Sequence, residues 1–461
     1  MKNQFFISCP RYLEPTLVNE FKEWGFFDRH ELDESTEDRV KEVNGGVYFN
    51  GNFEEAFHVI FNSRIASRVF LLVDSFPIDE AKNIYEMAIK KIKWDDYFQI
   101  DQTFKINTLI DQKLYKENPQ QLNLKNSVYF SQLLKDGIVD YFRNKFNSRP
   151  SVNLKNADAS FLMHLEMKEG AKARDNKTFV NIFIDLTGMP LSNRGYRTMT
   201  GPAPLRENLA AGLFLNSHIE DLYEKFDNKD RKSKPYIIDS MCGTGTFLIE
   251  ALLCVLNMPP SYLKVMHYTS NNKVWDIVAH AYFTKSPKLQ KQFFNKMEET
   301  KKIAQKILKQ SSSDLPYIFL GFDQDRKSLE IADANINRAH LSPFIKLKRE
   351  DALKLIPPHE SIGLIFCNPP YGKRLKANDT VADFSLEEIE KNQEEIKIQT
   401  EELEKLYHEY GEQLKRQFKH YRALVFTGNS EMRKKISLKT SAKIPFFNGD
   451  IESRLLIYDL Y

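Results

Sequence analysis

The chain has 461 residues, which at roughly 150 residues per domain is room for about three domains. Apolar residues make up 42% and charged residues 28%, and only 18 glycines and 19 prolines occur, which excludes a low-complexity or collagen-like chain. A net charge of +3 excludes a strongly basic tail protein and leaves any nucleic-acid function to local clusters. In chain order, residues 5–9 read as a strand, and Leu13, Leu17, Phe21 and Trp24 mark one face of a helix over 13–24. Asn44-Gly45-Gly46 is a turn between two short strands, and 53–61 is helical. Strands follow at 67–73, 103–110, 160–167 and 179–186, with helices over 79–91 and 124–146 between them, an α+β pattern. Residues 187–204 are rich in Gly, Pro, Ser and Thr and form a hinge. Beyond it, strands at 236–239, 317–323, 344–347, 362–366, 422–427 and 455–458 alternate with helices, which predicts a parallel doubly wound sheet whose last pair is antiparallel.

The amino terminus holds an apolar run of only three residues, Phe5-Phe6-Ile7, far short of a signal-peptide core, and no run approaches a membrane span. Cys9, Cys242, Cys254 and Cys367 form no CxxC pair and no zinc spacing. The expectation is a cytoplasmic, disulfide-free chain with no metal site.

Three segments carry chemistry. The strand ending at Asp239 continues as Ser240-Met241-Cys242-Gly243-Thr244-Gly245 into a helix over 247–256. A strand, a glycine turn and a helix amino terminus allow a cofactor to approach the backbone, because Gly243 and Gly245 lack Cβ atoms. The third glycine of a dinucleotide fingerprint is missing, which argues against NAD. Next, Asp323 closes the strand Phe319-Leu320-Gly321-Phe322, placed either to accept from ribose hydroxyls or, like Asp325, to cap the helix over 327–339. Asp351 follows the next strand, as an acceptor for an adenine amine or as a cap. The most specific segment is Asn368-Pro369-Pro370-Tyr371, which stops an apolar strand abruptly. Its two prolines fix φ and remove amide donors, leaving the Pro369 carbonyl and the Asn368 side-chain oxygen as acceptors for a planar exocyclic amine. Tyr371 offers a stacking face for the base.

DxxCGTG, GxD, an acidic residue after the third strand and NPPY, in that order, resemble class I S-adenosylmethionine-dependent methyltransferases acting on amino groups of bases. Residues 191–197 and 203–211, together with 62–68 and 447–455, are similar to THUMP-domain RNA guanine-N2 methyltransferases of the RlmL/YpsC-like type, so the resemblance covers almost the whole chain. It implies an α/β fold in which a Rossmann-like class I methyltransferase domain follows α+β ferredoxin-like and THUMP domains. The expected divisions are a ferredoxin-like segment over 1–53, a THUMP RNA-binding domain over 54–187, a linker over 188–200 and a methyltransferase domain over 201–461. It further implies S-adenosylmethionine as cofactor, held by Pro204, Asp239, Met241, Cys242, Gly243, Thr244, Gly245, Asp323, Asp351 and Asn368. The resemblance also implies that Asn368, Pro369, Pro370 and Tyr371 form the catalytic segment and that the substrate is guanine N2 in ribosomal RNA, 23S RNA in the bacterial relatives. Adenine N6 in RNA or DNA, or an RNA-binding assembly factor without catalysis, are the alternatives. The longest enzymes of this type carry a second, carboxy-terminal methyltransferase domain, and the expectation is that this sequence ends before one.

Charge is uneven along the chain. Residues 376–404 hold ten acidic against three basic residues, read as a solvated insertion running into a helix over 403–418. Two stretches contain bases and no acid: Arg143, Lys145, Arg149 and Lys155 within 143–155, and Arg194, Arg197 and Arg206 within 186–206. Both suit phosphate, with Phe146 or Tyr196 as stacking partners. A solvated helix end is the other reading of the first; a structural role or contact with a cofactor carboxylate is that of the second.

Overall fold

The computed structural model describes residues 3–26, 39–111, 113–114, 126–168, 177–197, 205–222, 234–269, 274–371 and 386–461. They form two compact units: Met1–Cys9 with Leu17–Asn193 and Pro259–Lys302, and Pro10–Thr16 with Arg194–Met258 and Ile303–Tyr461.

The first unit is built on one sheet. Its strands are β1 (Asn3–Ser8), β2 (Val40–Val43), β3 (Gly46–Gly51), β4 (Arg68–Ile78), β5 (Thr103–Ile110), β6 (Ser151–Val152), β7 (Ala159–Lys168) and β8 (Lys177–Asp185). They run in the order β2-β3-β1-β4-β8-β7-β5-β6. In β1 the alternation is plain: Phe5 and Ile7 are buried while Gln4, Phe6 and Ser8 are not. β4 pairs antiparallel with β1 on one side and with β8 on the other, so the sheet continues without a break across the expected boundary at residues 53 and 54. Helix Phe53–Asn62 opens with a capping box between Asn52 and Glu55. Its Phe57 and Phe61 meet Phe293 and Trp275 edge-on, at ring distances of 5.2 Å each, which ties Pro259–Lys302 into this unit's core.

The basic stretch 143–155 differs from its reading as a run without acids. The fold brings Asp140 to Arg143 at 2.7 Å and Asp95 to Lys145 at 2.8 Å. Arg149 and Lys155 are exposed, and Phe146 keeps 45% of its surface open.

In the second unit, β9 (Tyr236–Asp239), β10 (Ile318–Asp323), β11 (Ile345–Arg349), β12 (Gly363–Cys367), β13 (Tyr421–Thr427), β14 (Ala442–Asn448) and β15 (Ile451–Asp459) form a second sheet. Its order is β11-β10-β9-β12-β13-β15-β14. The first five positions are parallel, and β15 is antiparallel to both β13 and β14. This is the Rossmann-like sheet that the alternating strands predict. β14, whose interior Pro445 masks it in sequence, takes the edge, where a missing amide is tolerated. On one face Phe366 stacks on Phe247 of helix Thr246–Val255, with centroids 3.7 Å apart. On the other, Ile238, Ile365, Cys367, Ala423 and Val425 pack against Tyr407, Tyr410 and Leu414 of helix Leu386–Gln417. That helix starts well before residue 403, since the run of Glu, Lys, Gln and Ile residues from 386 favours helix as much as solvent exposure. Among the described residues no helix is long and apolar enough to cross a membrane.

Candidate active site

Chain order turns back between β9 and β12: β10 and β11 follow on one side of β9, and β12 and β13 lie on the other. Crevices at such a reversal are where doubly wound sheets bind ligands. The register sets Asp239 opposite Gly321 of β10 and Phe366 of β12. The DxxCGTG turn, Asp323 and the NPPY segment therefore leave the sheet together at the carboxyl ends of three neighbouring strands.

The glycine turn is held by its neighbours. The Cys242 amide donates to the Phe322 carbonyl at 2.8 Å, and the Gly243 amide donates to Asp323 Oδ2 at 2.9 Å. Gly243 and Gly245 have φ of +52° and +78°, the left-handed region in which a Cβ is costly. At Gly245 a Cβ would lie 3.3 Å from Ala332, whereas at Gly243 it would meet nothing within 4 Å, so the space beside Gly243 is open. Asn335 Nδ2 donates to the Thr244 carbonyl at 3.0 Å and steadies the turn from helix Arg326–Arg338.

Asp239 and Asp323 border this turn, and Asp351 follows the end of β11. Asp239 is 2% exposed and accepts from the Met241 amide at 3.3 Å. Burial, followed by the negative charge of Asp323, pushes its carboxyl well above the usual range. Asp323 accepts from Gly243 with one oxygen and from the Asp325 amide, at 2.9 Å, with the other. The cap of helix Arg326–Arg338 is Asp325, which accepts from the Lys327 and Ser328 amides, so Asp323 is spared that task. Asp351 does cap: it accepts from Leu353 at 3.0 Å, at the start of the short turn Ala352–Lys354. Met241 is half-buried against the core, and burial raises the Cys242 thiol, keeping it neutral. Among the described residues no group of three or more His, Cys, Asp or Glu is arranged to hold a metal.

Asn368 and Tyr371 are half-buried, Pro369 is buried and Pro370 exposed. The Tyr371 hydroxyl donates to Asn368 Oδ1 at 2.8 Å, so the two ends of NPPY close on each other. A carbonyl oxygen has two lone pairs, and one on Asn368 remains for a ligand. Among the described residues no backbone amide donates to the Pro369 carbonyl.

Residues invisible as site residues in the sequence support both loops. Tyr407 donates to the Pro370 carbonyl at 3.2 Å and meets Thr427 Oγ1 at 2.9 Å. Tyr410, one turn on, meets Ser240 Oγ at 2.7 Å, and Ser240 also donates to the Phe366 carbonyl at 3.0 Å. Asn429 Nδ2 donates to the Tyr371 carbonyl at 3.0 Å. The only sequence signal for the tyrosines is their i, i+3 spacing, which looks the same as core packing.

The second basic stretch corrects its phosphate-binding reading. Arg194 is 1% exposed and lies 3.6 Å from Glu250, which also accepts from Tyr196 at 2.9 Å. Tyr196 is fully buried and cannot stack on a base. Arg197 Nε lies 2.9 Å from Glu207, and its Nη2 lies 3.1 Å from Thr246 Oγ1. These residues dock the segment 194–197 onto helix Thr246–Val255; of the three arginines only Arg206 is exposed. Pro204 and residues 376–385 of the acidic stretch lie outside the described residues.

Comparison with known proteins matches the chain domain by domain. Residues 4–70 match the RlmL ferredoxin-like domain, 79–169 the THUMP domain and 194–398 the RMKL-like methyltransferase domain. The chain is 29% identical over 456 residues to a ribosomal RNA large subunit methyltransferase K/L of Psychromonas ingrahamii, covering 98% of this chain and 50% of that protein. It spans about half the length of the first curated relatives it matches. The fold is shared with SMU.472, solved in complex with SAH, at a TM-score of 0.68 and 21% identity, covering 100% of this chain and 98% of the other. It is also shared with a predicted N6-adenine-specific DNA methylase of Listeria monocytogenes, at a TM-score of 0.69 and 22% identity, covering 100% and 97%. Matches to the RlmL ferredoxin-like, THUMP and RMKL-like methyltransferase domains thus follow one another along the chain in that order.

Proposed function

We propose that the chain transfers a methyl group from S-adenosylmethionine to the exocyclic N2 amine of a guanine in ribosomal RNA, the 23S RNA of the large subunit, in the cytoplasm. The observation that carries this reading is the adjacency of the DxxCGTG turn and NPPY at the reversal of strand order, fixed by the pairing of Asp239 with Phe366. The open space at Gly243 and the scarcely solvated carboxylate of Asp239 fit a ligand that brings positive charge and hydrogen-bond donors. S-adenosylmethionine supplies an electrophilic methyl group on a sulfonium sulfur. Asp239, Met241, Cys242, Gly243, Thr244 and Gly245, with Pro204, would hold its methionine part, Asp323 its ribose and Asp351 its adenine, with Asn368 at the reacting end.

The target guanine leaves its stack, at a cost of a few kcal/mol, before its amine can enter. Asn368 Oδ1 and the Pro369 carbonyl accept the two amine hydrogens and aim the nitrogen lone pair. The same oxygens favour positive charge as it develops on nitrogen. Pro370 stiffens the turn, and Tyr371, tied to Asn368, presents its ring to the base. The methylated amine is acidic enough to lose its proton to water, so positioning supplies most of the rate. The THUMP match over 79–169 supports RNA as the substrate.

The test is incubation of the full chain with methyl-labelled S-adenosylmethionine and unmodified ribosomal RNA, followed by nucleoside analysis. N2-methylguanosine is the expected product. N6-methyladenosine would transfer the assignment to adenine, and no label with cofactor binding intact would overturn it in favour of an RNA-binding factor.

A further inference from the structure

The second unit has a cavity of about 300 Å³ whose lining includes Arg11, Arg206, Leu209, Phe447 and Asp450. The ring of Tyr12 stacks on Phe447, with centroids 5.7 Å apart and planes 6° apart, and the Arg11 guanidinium lies 5.5 Å from the same ring. Tyr12 is 49% exposed and has φ of +70°, a conformation that costs a non-glycine residue energy. Arg11 and Arg206 are both exposed, and among the described residues no carboxylate lies within ion-pair distance of either. Phe447, Gly449 and Asp450 bracket Asn448, whose side chain lies at the Tyr371 hydroxyl. Asn448 and Ile451 face each other across the β14–β15 turn, so this one turn borders both the cavity and NPPY.

Two unneutralised guanidinium groups beside an open aromatic face match a phosphate joined to a base. We propose that this cavity binds a nucleotide of single-stranded RNA next to the target base, its phosphate between Arg11 and Arg206 and its base on the outer face of Tyr12. The proposal rests on the reading of this unit as an RNA methyltransferase. Asp450, an exposed carboxylate on the same rim, opposes phosphates and holds down affinity for polyanions in general.

The test uses the full chain and a fluorescein-labelled single-stranded RNA hexamer, read by anisotropy over a range of salt. Replacing both Arg11→Ala and Arg206→Ala should weaken binding about tenfold and reduce the slope of log Kd against log salt by about 0.7 for each phosphate that is no longer neutralised. Tyr12→Leu should weaken binding at least about fivefold with the slope unchanged. Asp450→Asn should tighten it about twofold to fivefold, a gain that loss of folding cannot imitate. Wild-type affinity and slope in the double arginine variant would overturn the proposal, as would unchanged binding by Asp450→Asn. Methyl transfer to ribosomal RNA by the wild type, with binding unaltered in the variants, refutes the cavity alone. Cavity-dependent binding with no methyl transfer refutes the activity and leaves the cavity as an RNA site.

Discussion

Asp239 has the Met241 amide at 3.3 Å and the carboxylate of Asp323 nearby, and almost no solvent. Its raised pKa means that the folded chain binds a proton there more tightly than the unfolded chain does. That contribution to stability is complete below the ordinary carboxylate range and is lost as pH rises through the raised value. Asp239→Asn should therefore raise the melting temperature of the ligand-free chain at neutral pH and flatten its alkaline decline. The same change should weaken cofactor binding about tenfold in calorimetry; an unaltered melting profile would refute the buried-charge account. Tyr371→Phe removes the donor that fixes Asn368 Oδ1. An unfixed amide rotates out of line, so kcat should fall about tenfold while cofactor affinity holds. The motifs themselves are legible in the sequence because turn chemistry is local. The donor on Asn368 is not, since Tyr371 reads as a stacking face until the turn is seen to close on itself.

Helix Leu386–Gln417 carries its function on two adjacent turns. Tyr407 reaches the NPPY segment and Tyr410 reaches the turn after Asp239, so one rigid element sets the spacing of both loops. Tyr410→Phe removes a buried hydroxyl interaction of about 1 kcal/mol, which in a unit of this size should lower the melting temperature by about 2–4 °C. Steady-state kinetics should separate the pair, with Tyr410→Phe raising KM for the cofactor and Tyr407→Phe lowering kcat. Equal effects of the two on both constants would show that the helix is only packing. The helical period predicts its carboxyl half over 403–418, but charge density obscures its first turns. Strand β14 stays hidden for a related reason: Pro445 and weak alternation are tolerated only at an edge, and an edge is defined by neighbours far away in sequence.

Across the molecule, the net charge of +3 averages over unlike surroundings. Arg194 and Arg197 are neutralised by Glu250 and Glu207, and Lys145 by Asp95, partners found only once the chain folds. Runs of one sign in sequence therefore overstate the available positive surface. His58 shows the same dependence on distant neighbours. Burial beside Trp24 and Phe26, followed by Lys296, pushes it from 6.5 down to about 4. A depressed histidine supports stability above its ordinary value, and that support is lost as pH falls through the folded value. The chain should lose about 2 kcal/mol between pH 6.5 and 4, measured by denaturant unfolding, and His58→Gln should abolish most of that loss.

The unbroken first sheet limits how the chain can be divided. β4 is an interior strand because β1 covers one of its edges. A fragment beginning after residue 53 would present the β4 backbone, with Val69 and Leu71, as an open apolar edge, the template on which chains aggregate. Residues 3–51, which carry β1 and its partner β3, thus act as a protective cover for β4, and any fragment that contains β4 needs them attached.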